Sequence, residues 1–257
     1  MAGKTSWPPT LQEINLLPLP EKEAIYSTLL PDWLYKRFPG PPVVELRCPV
    51  GSNAMELIVW HQQGARDPVL YINMVDTNLY QLLVLLVVVN DPTSPRFDVD
   101  IDAEGCSTRL GTVNRNVAEE RRAMDYGLAP GQVRAGLRVF REGIPRFENF
   151  VRRMGHDLFL IEPLAYHNAI LFERYGFTYM RGKRDMEIIH EQFQPGQLLH
   201  GALDGSTPFR QPEAWQTIRG RSWAIQDGVL GHAFSGFQMY KRLDYHAGVN
   251  TFPGAVW

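Results

Sequence analysis

Hydrophobic and polar positions change their spacing along this chain, and each change predicts a different kind of element. Between residues 21 and 38 apolar side chains recur at helical spacing, and Pro31 divides them into two short predicted helices. Residues 43–102 instead form apolar or alternating runs separated by turn-forming residues, which predicts an antiparallel meander. The first 18 residues contain several prolines and no sustained period, so we expect a coil there.

The last run of the meander, residues 97–102, alternates apolar side chains with aspartates. This alternation predicts a strand with one buried face and one acidic face. The acidic positions continue to Glu104 and are typical of an exposed strand face. A bound divalent ion or a cationic substrate is the alternative left open.

The second half of the chain is predicted to be mainly helical. A short helix begins near Val117, and a longer one spans residues 132–154, with Pro145 expected to kink or interrupt it. A strand over 158–161, a helix over 168–175 and a strand over 177–181 follow. Residues 191–257 are rich in Gly, Gln, Trp and His and are predicted to pack on the core, capping a cleft or forming an oligomer contact.

Composition and charge narrow the classes of function. The chain is 44% hydrophobic and 21% charged, which is typical of a globular protein, and its net charge of -2 argues against a nucleic-acid partner. Two cysteines and an N-terminus without the apolar stretch of a signal peptide predict a cytoplasmic location. The apolar run at 79–89 is about half the length that a membrane-spanning helix needs, so no membrane partner is expected.

The histidines and carboxylates raise the possibility of a metal site. Glu187 and His190 have the spacing that shares one helix face, and Glu191 is adjacent. A carboxylate-bridged bundle site needs two such pairs and the sequence offers one, so we predict no metal ion. A His/carboxylate metal-dependent enzyme remains a minor alternative. The nucleophile elbow, the Walker A loop and the dinucleotide-binding glycine motif are all absent from the sequence.

The segment 156–177, HDLFLIEPLAYHNAILFERYGF, predicts a buried strand, a turn, a helix and a strand that begins after Gly176. This order, with the ending LFERYGF, resembles the last third of the core of the GNAT superfamily of N-acetyltransferases. The resemblance implies that the stretch LFLIEPL is the strand that splays away from its neighbour to admit the pantetheine arm of coenzyme A. It covers roughly residues 50–185.

Residues 129–137, APGQVRAGL, resemble the pyrophosphate loop of the same superfamily, which reads Arg or Gln, two residues, Gly, one residue, then Gly or Ala, at the start of a helix. Free N–H groups at a helix N-terminus suit a phosphate. Gly136 stands one residue late for this pattern, and Arg138 occupies the position of the last glycine. The resemblance implies that acetyl-CoA or another acyl-CoA is bound by Gln132, Val133, Arg134, Ala135, Gly136, Leu137 and Phe172.

For catalysis the resemblance implies that Glu162 orients the acceptor amine and that His167 acts as a general base. The alternatives are that Glu162 pairs with Arg174 or Arg152, and that His167 forms only local hydrogen bonds. Many members have a Tyr that protonates the thiolate where this chain has Phe172, and an Asn where it has Ala165. The expected function is a divergent acyl-CoA-dependent N-acyltransferase acting on a small-molecule or peptide amine. The alternative is a non-catalytic binding or assembly protein with the same fold.

The fold expected from these patterns is α/β (α+β), with a GNAT-like mixed, mainly antiparallel sheet flanked by helices. Residues 1–42 form an N-terminal lead-in with helices, 43–190 the acyltransferase-like core and 191–257 a C-terminal extension. A homodimer is one assembly that we consider for this chain.

Overall fold

The structure is a computed structural model that describes residues 7–102, 104–108 and 114–257. The chain divides into two compact units. Unit 1 takes its described residues from 1–93, 136–162 and 240–246. Unit 2 takes its own from 94–135, 163–239 and 247–257. Because these stretches alternate along the chain, neither unit is one continuous segment.

The strands are β1 Val43–Arg47, β2 Ala54–Trp60, β3 Leu70–Asp76, β4 Leu82–Val89, β5 Leu158–Ile161, β6 Thr178–Arg181 and β7 Gln238–Arg242. The helices are α1 Leu11–Leu16, α2 Leu19–Ser27, α3 Trp33–Arg37, α4 Val117–Tyr126, α5 Phe140–Arg153, α6 Tyr166–Arg174, α7 Lys183–Gln192, α8 Leu198–Gly201 and α9 Ile218–Gln226. A 3-10 turn covers Pro212–Gln216. The described strands form a seven-stranded sheet in the order β1-β2-β3-β4-β5-β7-β6.

The predicted α/β class with a mostly antiparallel sheet is confirmed. Strands β1 to β4 form the predicted antiparallel meander, and β4 pairs with β5 in parallel. Alternate residues of β3 are buried, which is the period expected of a strand with one face on the core. The two short helices on either side of Pro31 are also present, as α2 and α3.

The predicted coil at the N-terminus is wrong, because residues 11–16 form α1. Thr10 caps this helix by accepting a hydrogen bond from the backbone N–H of Glu13, and the spacing of these two residues is that of a capping box. The buried carboxylate of Asp76, at the end of β3, accepts the N–H groups of Leu11 and Gln12, both at 2.9 Å. The sheet therefore stabilises a helix start that propensity alone does not predict.

The predicted strand over 97–102 is also wrong. This stretch forms only an isolated bridge between Ile101 and Ser107. Phe97 and Val99 point into a buried cluster of unit 2, while Asp98 and Asp100 pair with Arg96. Residues 97–102 thus bury their apolar side chains and pair two of their aspartates with Arg96 without forming a regular strand.

Unit 2 places helix α9 in close contact with the turn that precedes it. A Cβ added at Gly220 would lie 2.5 Å from the carbonyl oxygen of Ala214 and 2.6 Å from its Cα. The same helix carries Trp223, whose buried ring donates a hydrogen bond to the carbonyl oxygen of Leu128 at 2.9 Å. The helix can approach the turn this closely because residue 220 has no side chain.

Gly220→Ala is therefore expected to lower the free energy of unfolding by about 1–3 kcal/mol, because the clash is with backbone that cannot move aside. The measurement is urea-induced unfolding of the whole chain. Gly201→Ala in α8 is the matched control, since nothing lies within 4 Å of its added Cβ. An equal loss in both variants would contradict the assigned contact.

Candidate functional site

The parallel contact between β4 and β5 in unit 1 is short. Only Leu83 with Leu160 and Val84 with Ile161 are in register. Strand β5 ends at Ile161, whereas β4 continues to Val89. Residues 85–89 of β4 therefore have no β5 residue opposite them, and an unpaired strand edge presents free N–H and C=O groups.

A β-bulge lies where the two strands part. On the β3 side, Met74 pairs with Val84 and Asn73 pairs with Leu86, which leaves Leu85 as the extra residue of β4. Bulges bend a strand and increase its local twist. The register shift thus bends β4 at the first residue that has lost its β5 neighbour.

Glu162 follows β5 directly and is half-buried at this opening. Among the residues that the structure describes, its carboxylate forms no hydrogen bond or ion pair. Arg152 pairs with Asp244 at 2.7 Å, and Arg174 donates to the carbonyl oxygen of Ala255 at 2.7 Å. The predicted pairing of Glu162 with Arg152 or Arg174 is therefore wrong, and a carboxylate is available to a cation.

His167 lies in the first turn of α6 in unit 2 and is only 5% exposed. Its Nδ1 is 2.8 Å from the hydroxyl of Ser222 on α9, and Trp257 packs edge-on against its ring. Burial lowers the pKa of His167 to about 4, so the ring is neutral at pH 7. The contact with Ser222 links two helices of unit 2, and the ring also hydrogen-bonds to the neighbouring Asn168 side chain, as the local alternative expected.

The residues predicted to bind pyrophosphate do not open a helix, because α5 begins at Phe140. The side-chain oxygen of Gln132 accepts the N–H of Ala129 at 2.7 Å, and the carbonyl of Val133 accepts the N–H of Phe97 at 2.9 Å. Apolar residues in this segment recur at helical spacing, yet its backbone forms hydrogen bonds with a distant segment instead of the i to i+4 bonds of a helix.

Arg134 and Ala135 are occupied in the same way. The Arg134 guanidinium donates to the carbonyl oxygen of Ser94, and the backbone N–H of Ala135 donates to the Ser94 hydroxyl at 3.1 Å. These contacts hold the segment to Ser94 within unit 2. The N–H and the side chain expected to meet a phosphate already have protein partners.

The chain then enters α5 beside the end of β4. A Cβ at Gly136 would lie 3.3 Å from the carbonyl oxygen of Val89, the last residue of β4, and Leu137 is buried. Arg138 follows with a φ of +56°, and Val139 is the N-cap residue of α5 and provides no side-chain cap. The uncapped 14-residue helix thus starts at Phe140, four residues after the contact with β4.

Two exposed arginines flank this helix start. Neither Arg138 nor Arg141 forms a hydrogen bond or ion pair with another residue of the described parts of the chain. With Gly143 they read Arg, two residues, Arg, one residue, Gly. Sequence reasoning missed them because it began the helix at residue 132.

Phe172 and the carboxylates of α7 complete the set of predicted residues. Phe172 is buried and packs on Phe177, with ring centroids 5.2 Å apart. Glu187 pairs with Lys183 and Arg184 on its own helix. Within 7–102, 104–108 and 114–257, no group of three or more His, Cys, Asp or Glu side chains is arranged to hold a metal ion.

Comparison with protein-family models, curated proteins and solved structures found no match to this chain. Across the described residues, every helix is too short or too polar to span a membrane. The assignment of a function therefore depends on the geometry of the β4–β5 opening and on the resemblance of residues 156–177.

The low pKa of His167 predicts acid sensitivity. Its ordinary pKa is 6.5, so between pH 6.5 and about 4 the unfolded chain binds a proton that the folded chain does not. Stability from this group is complete above pH 6.5 and is lost as the pH falls through about 4. At about 1.4 kcal/mol per pKa unit, we expect a loss of about 3 kcal/mol.

Urea unfolding of wild type and of His167→Gln between pH 7 and pH 4 checks this. The difference in stability between the two should shrink as the pH falls, since only wild type loses this contribution. His232→Gln, at an exposed site, should keep the wild-type pH dependence. A difference between wild type and His167→Gln that stays constant with pH would refute the burial argument.

Proposed function

We propose that this chain is an acyl-CoA-dependent N-acyltransferase, with acetyl-CoA as the first cofactor to test and a small-molecule or peptide amine as the acceptor. The observation that carries the proposal is the opening between β4 and β5. The resemblance of residues 156–177 to the GNAT superfamily implies a strand that leaves its neighbour to admit the pantetheine arm. Here β5 pairs with β4 through two registered positions and then ends.

The unpaired edge of β4 supplies what an acyl-pantetheine group needs. Residues 85–89 offer backbone donors and acceptors that can pair with the amides of the arm. A backbone N–H of this stretch would also donate to the thioester carbonyl oxygen, and such a fixed donor stabilises the negative charge that develops there. The bulge at Leu85 would aim that donor into the opening.

In the proposed complex, the pyrophosphate binds at the start of α5 and not to residues 132–137. The helix N-terminus carries partial positive charge and free N–H groups, and Arg138 and Arg141 add full charges beside it. The run Arg138 to Gly143 fits the family pattern except that Arg141 stands in place of the first glycine. Gly136 still contributes to the site, because it lets the segment that precedes α5 lie against Val89.

Glu162 is the proposed base. Its carboxylate would bind the ammonium form of the acceptor and take its proton, after which the nitrogen attacks the thioester carbonyl carbon. The C–N bond forms, the nitrogen releases its second proton to solvent, the C–S bond breaks, and the thiolate takes a proton from solvent because Phe172 has none to give. His167 is assigned a supporting role between α6 and α9, since its ring is buried against Ser222.

A non-catalytic binding protein with the same fold is the second candidate. Phe172 favours it, because this position lacks the proton donor that many GNAT enzymes have, and so does Gly136, which stands one residue late for the pyrophosphate-loop pattern. Such a protein would use its aromatic C-terminal extension, residues 191–257, against a partner. Release of thiol from acetyl-CoA in the presence of an amine would favour the acyltransferase over this candidate.

Isothermal titration with acetyl-CoA tests the cofactor site. Wild type is expected to bind with micromolar affinity, and the double variant Arg138→Gln with Arg141→Gln should bind about 10-fold to 100-fold more weakly, because two charge-assisted contacts are lost. Arg184→Gln is the control, since this arginine is exposed on α7 and its ion pairs within the described part of the chain are with carboxylates of its own helix.

The same titration can remove the proposal. Absence of heat, together with no thermal shift at millimolar acetyl-CoA or free CoA, would rule out the acyltransferase and leave the binding or assembly protein. Wild-type affinity in the double variant would show that the protein binds the cofactor but that the phosphates do not bind at the start of α5.

Glu162→Gln tests the chemical step on any amine that releases thiol from acetyl-CoA. The rate is expected to fall by about 10²-fold to 10⁴-fold, because the amide cannot accept the proton, while acetyl-CoA affinity stays unchanged. Glu191→Gln, at an exposed position of α7, should keep wild-type turnover. Full activity in Glu162→Gln would show that another group is the base.

A further inference from the structure

Arg221 of α9 is an arginine with no exposed surface. Its Nε donates to the carbonyl oxygen of Trp215 at 2.6 Å, and its Nη1 donates to Nδ1 of His190 at 3.1 Å. The hydroxyl of Tyr166 lies 3.4 Å from Nη1. Residues from α6, α7 and α9 therefore meet around one buried cation within unit 2.

The protein leaves this cation without a counter-charge. Among the residues that the structure describes, no Asp or Glu forms an ion pair with Arg221, and its Nη2 has no hydrogen-bond partner. The rings of Phe252 and Phe193 cover the guanidinium faces, with centroids 3.5 Å and 5.1 Å from Cζ. Aromatic faces attract a cation, but they neither neutralise it nor accept hydrogen bonds at its edge.

The buried carboxylate of Glu173 in the same unit bonds to other residues than Arg221. Its oxygens accept the N–H of Thr251 at 2.9 Å, the hydroxyl of Thr251 at 2.7 Å and the hydroxyl of Tyr179 at 2.5 Å. A guanidinium stays protonated in proteins, and a buried charge is strongly destabilising unless it is paired. None of the described residues supplies a carboxylate that pairs with Arg221 or an acceptor for its Nη2.

We propose that Nη2 of Arg221 binds a small monovalent anion, either a halide or a carboxylate group, in a closed site among α6, α7 and α9. Two N–H groups of Nη2 would donate to it, while Nε and Nη1 stay with their protein partners. The close packing of Phe252 limits the ligand to a small ion. This site uses residues of unit 2 only and does not depend on the proposed acyltransferase function.

Phe252 belongs to a C-terminal segment that is firmly attached to unit 2. In addition to the bonds between Thr251 and Glu173, the carbonyl oxygen of Ala255 accepts a hydrogen bond from Arg174 at 2.7 Å. The carbonyl oxygen of Val256 accepts one from the backbone N–H of Ile218 at 2.8 Å. The anion would therefore be a structural counter-ion that is enclosed as the segment packs. Its binding would appear as a gain in stability, because only the folded chain holds it.

Thermal unfolding at constant ionic strength tests this, with sodium gluconate replaced stepwise by chloride or by acetate. Gluconate is too large to be enclosed, so the wild-type Tm should rise with the logarithm of the small-anion concentration. A rise in chloride alone identifies a halide, and a rise in acetate alone identifies a carboxylate group. Arg221→Met should abolish the rise. Arg219→Met, on the same helix and bonded to the carbonyl oxygen of Gly127, should keep it.

Equal wild-type Tm values in the three salts would overturn the proposal, since Nη2 would then be satisfied by water. A rise that persists in Arg221→Met would overturn it as well. If Arg221→Met does not fold, crystals of wild type grown in bromide replace it as the test. An anomalous peak within hydrogen-bond distance of Nη2 supports the halide site, and no peak together with a salt-independent Tm refutes the anion.

Discussion

The short pairing between β4 and β5 is the constraint on which the proposed site depends. A parallel neighbour that ended further along would cover the backbone of residues 85–89, and Glu162 would then lie beside a paired strand. Because β5 ends at Ile161 and the bulge at Leu85 bends β4, one edge of the sheet stays open inside unit 1. The contact of Gly136 with Val89 then brings the start of α5 to the end of the open strand.

Strand periodicity made much of this sheet predictable. The runs that became β1 to β4, and the strand over 158–161, bury apolar side chains in patterns that local sequence records. The start of α5 was not predictable in this way. Val133 and Leu137 have helical spacing, yet the residues around them bond to Phe97 and Ser94, and only the folded chain supplies those partners. A capping signal was also absent, since Val139 precedes the helix.

Charged residues show the same limit more strongly. In the sequence, Glu162 could be paired or unpaired, and Arg221 was one basic residue of the predicted C-terminal extension. Whether a charge is buried, and what faces it, depends on segments far away in sequence, such as the one that brings Phe252 to Arg221. The unpaired Glu162 and the enclosed Arg221 are therefore results of the structure rather than of the motif.

For the proposed reaction, a base that deprotonates the amine and an acid that protonates the thiolate do not have equal weight. An acceptor amine with an ordinary pKa of about 10 is protonated at pH 7, so it must lose a proton before it can attack. A thiolate with a pKa of about 8.5 leaves readily, and solvent can protonate it afterwards. With Glu162 as the proposed base and Phe172 in place of an acid, the proposed site would therefore retain the group that the reaction needs more.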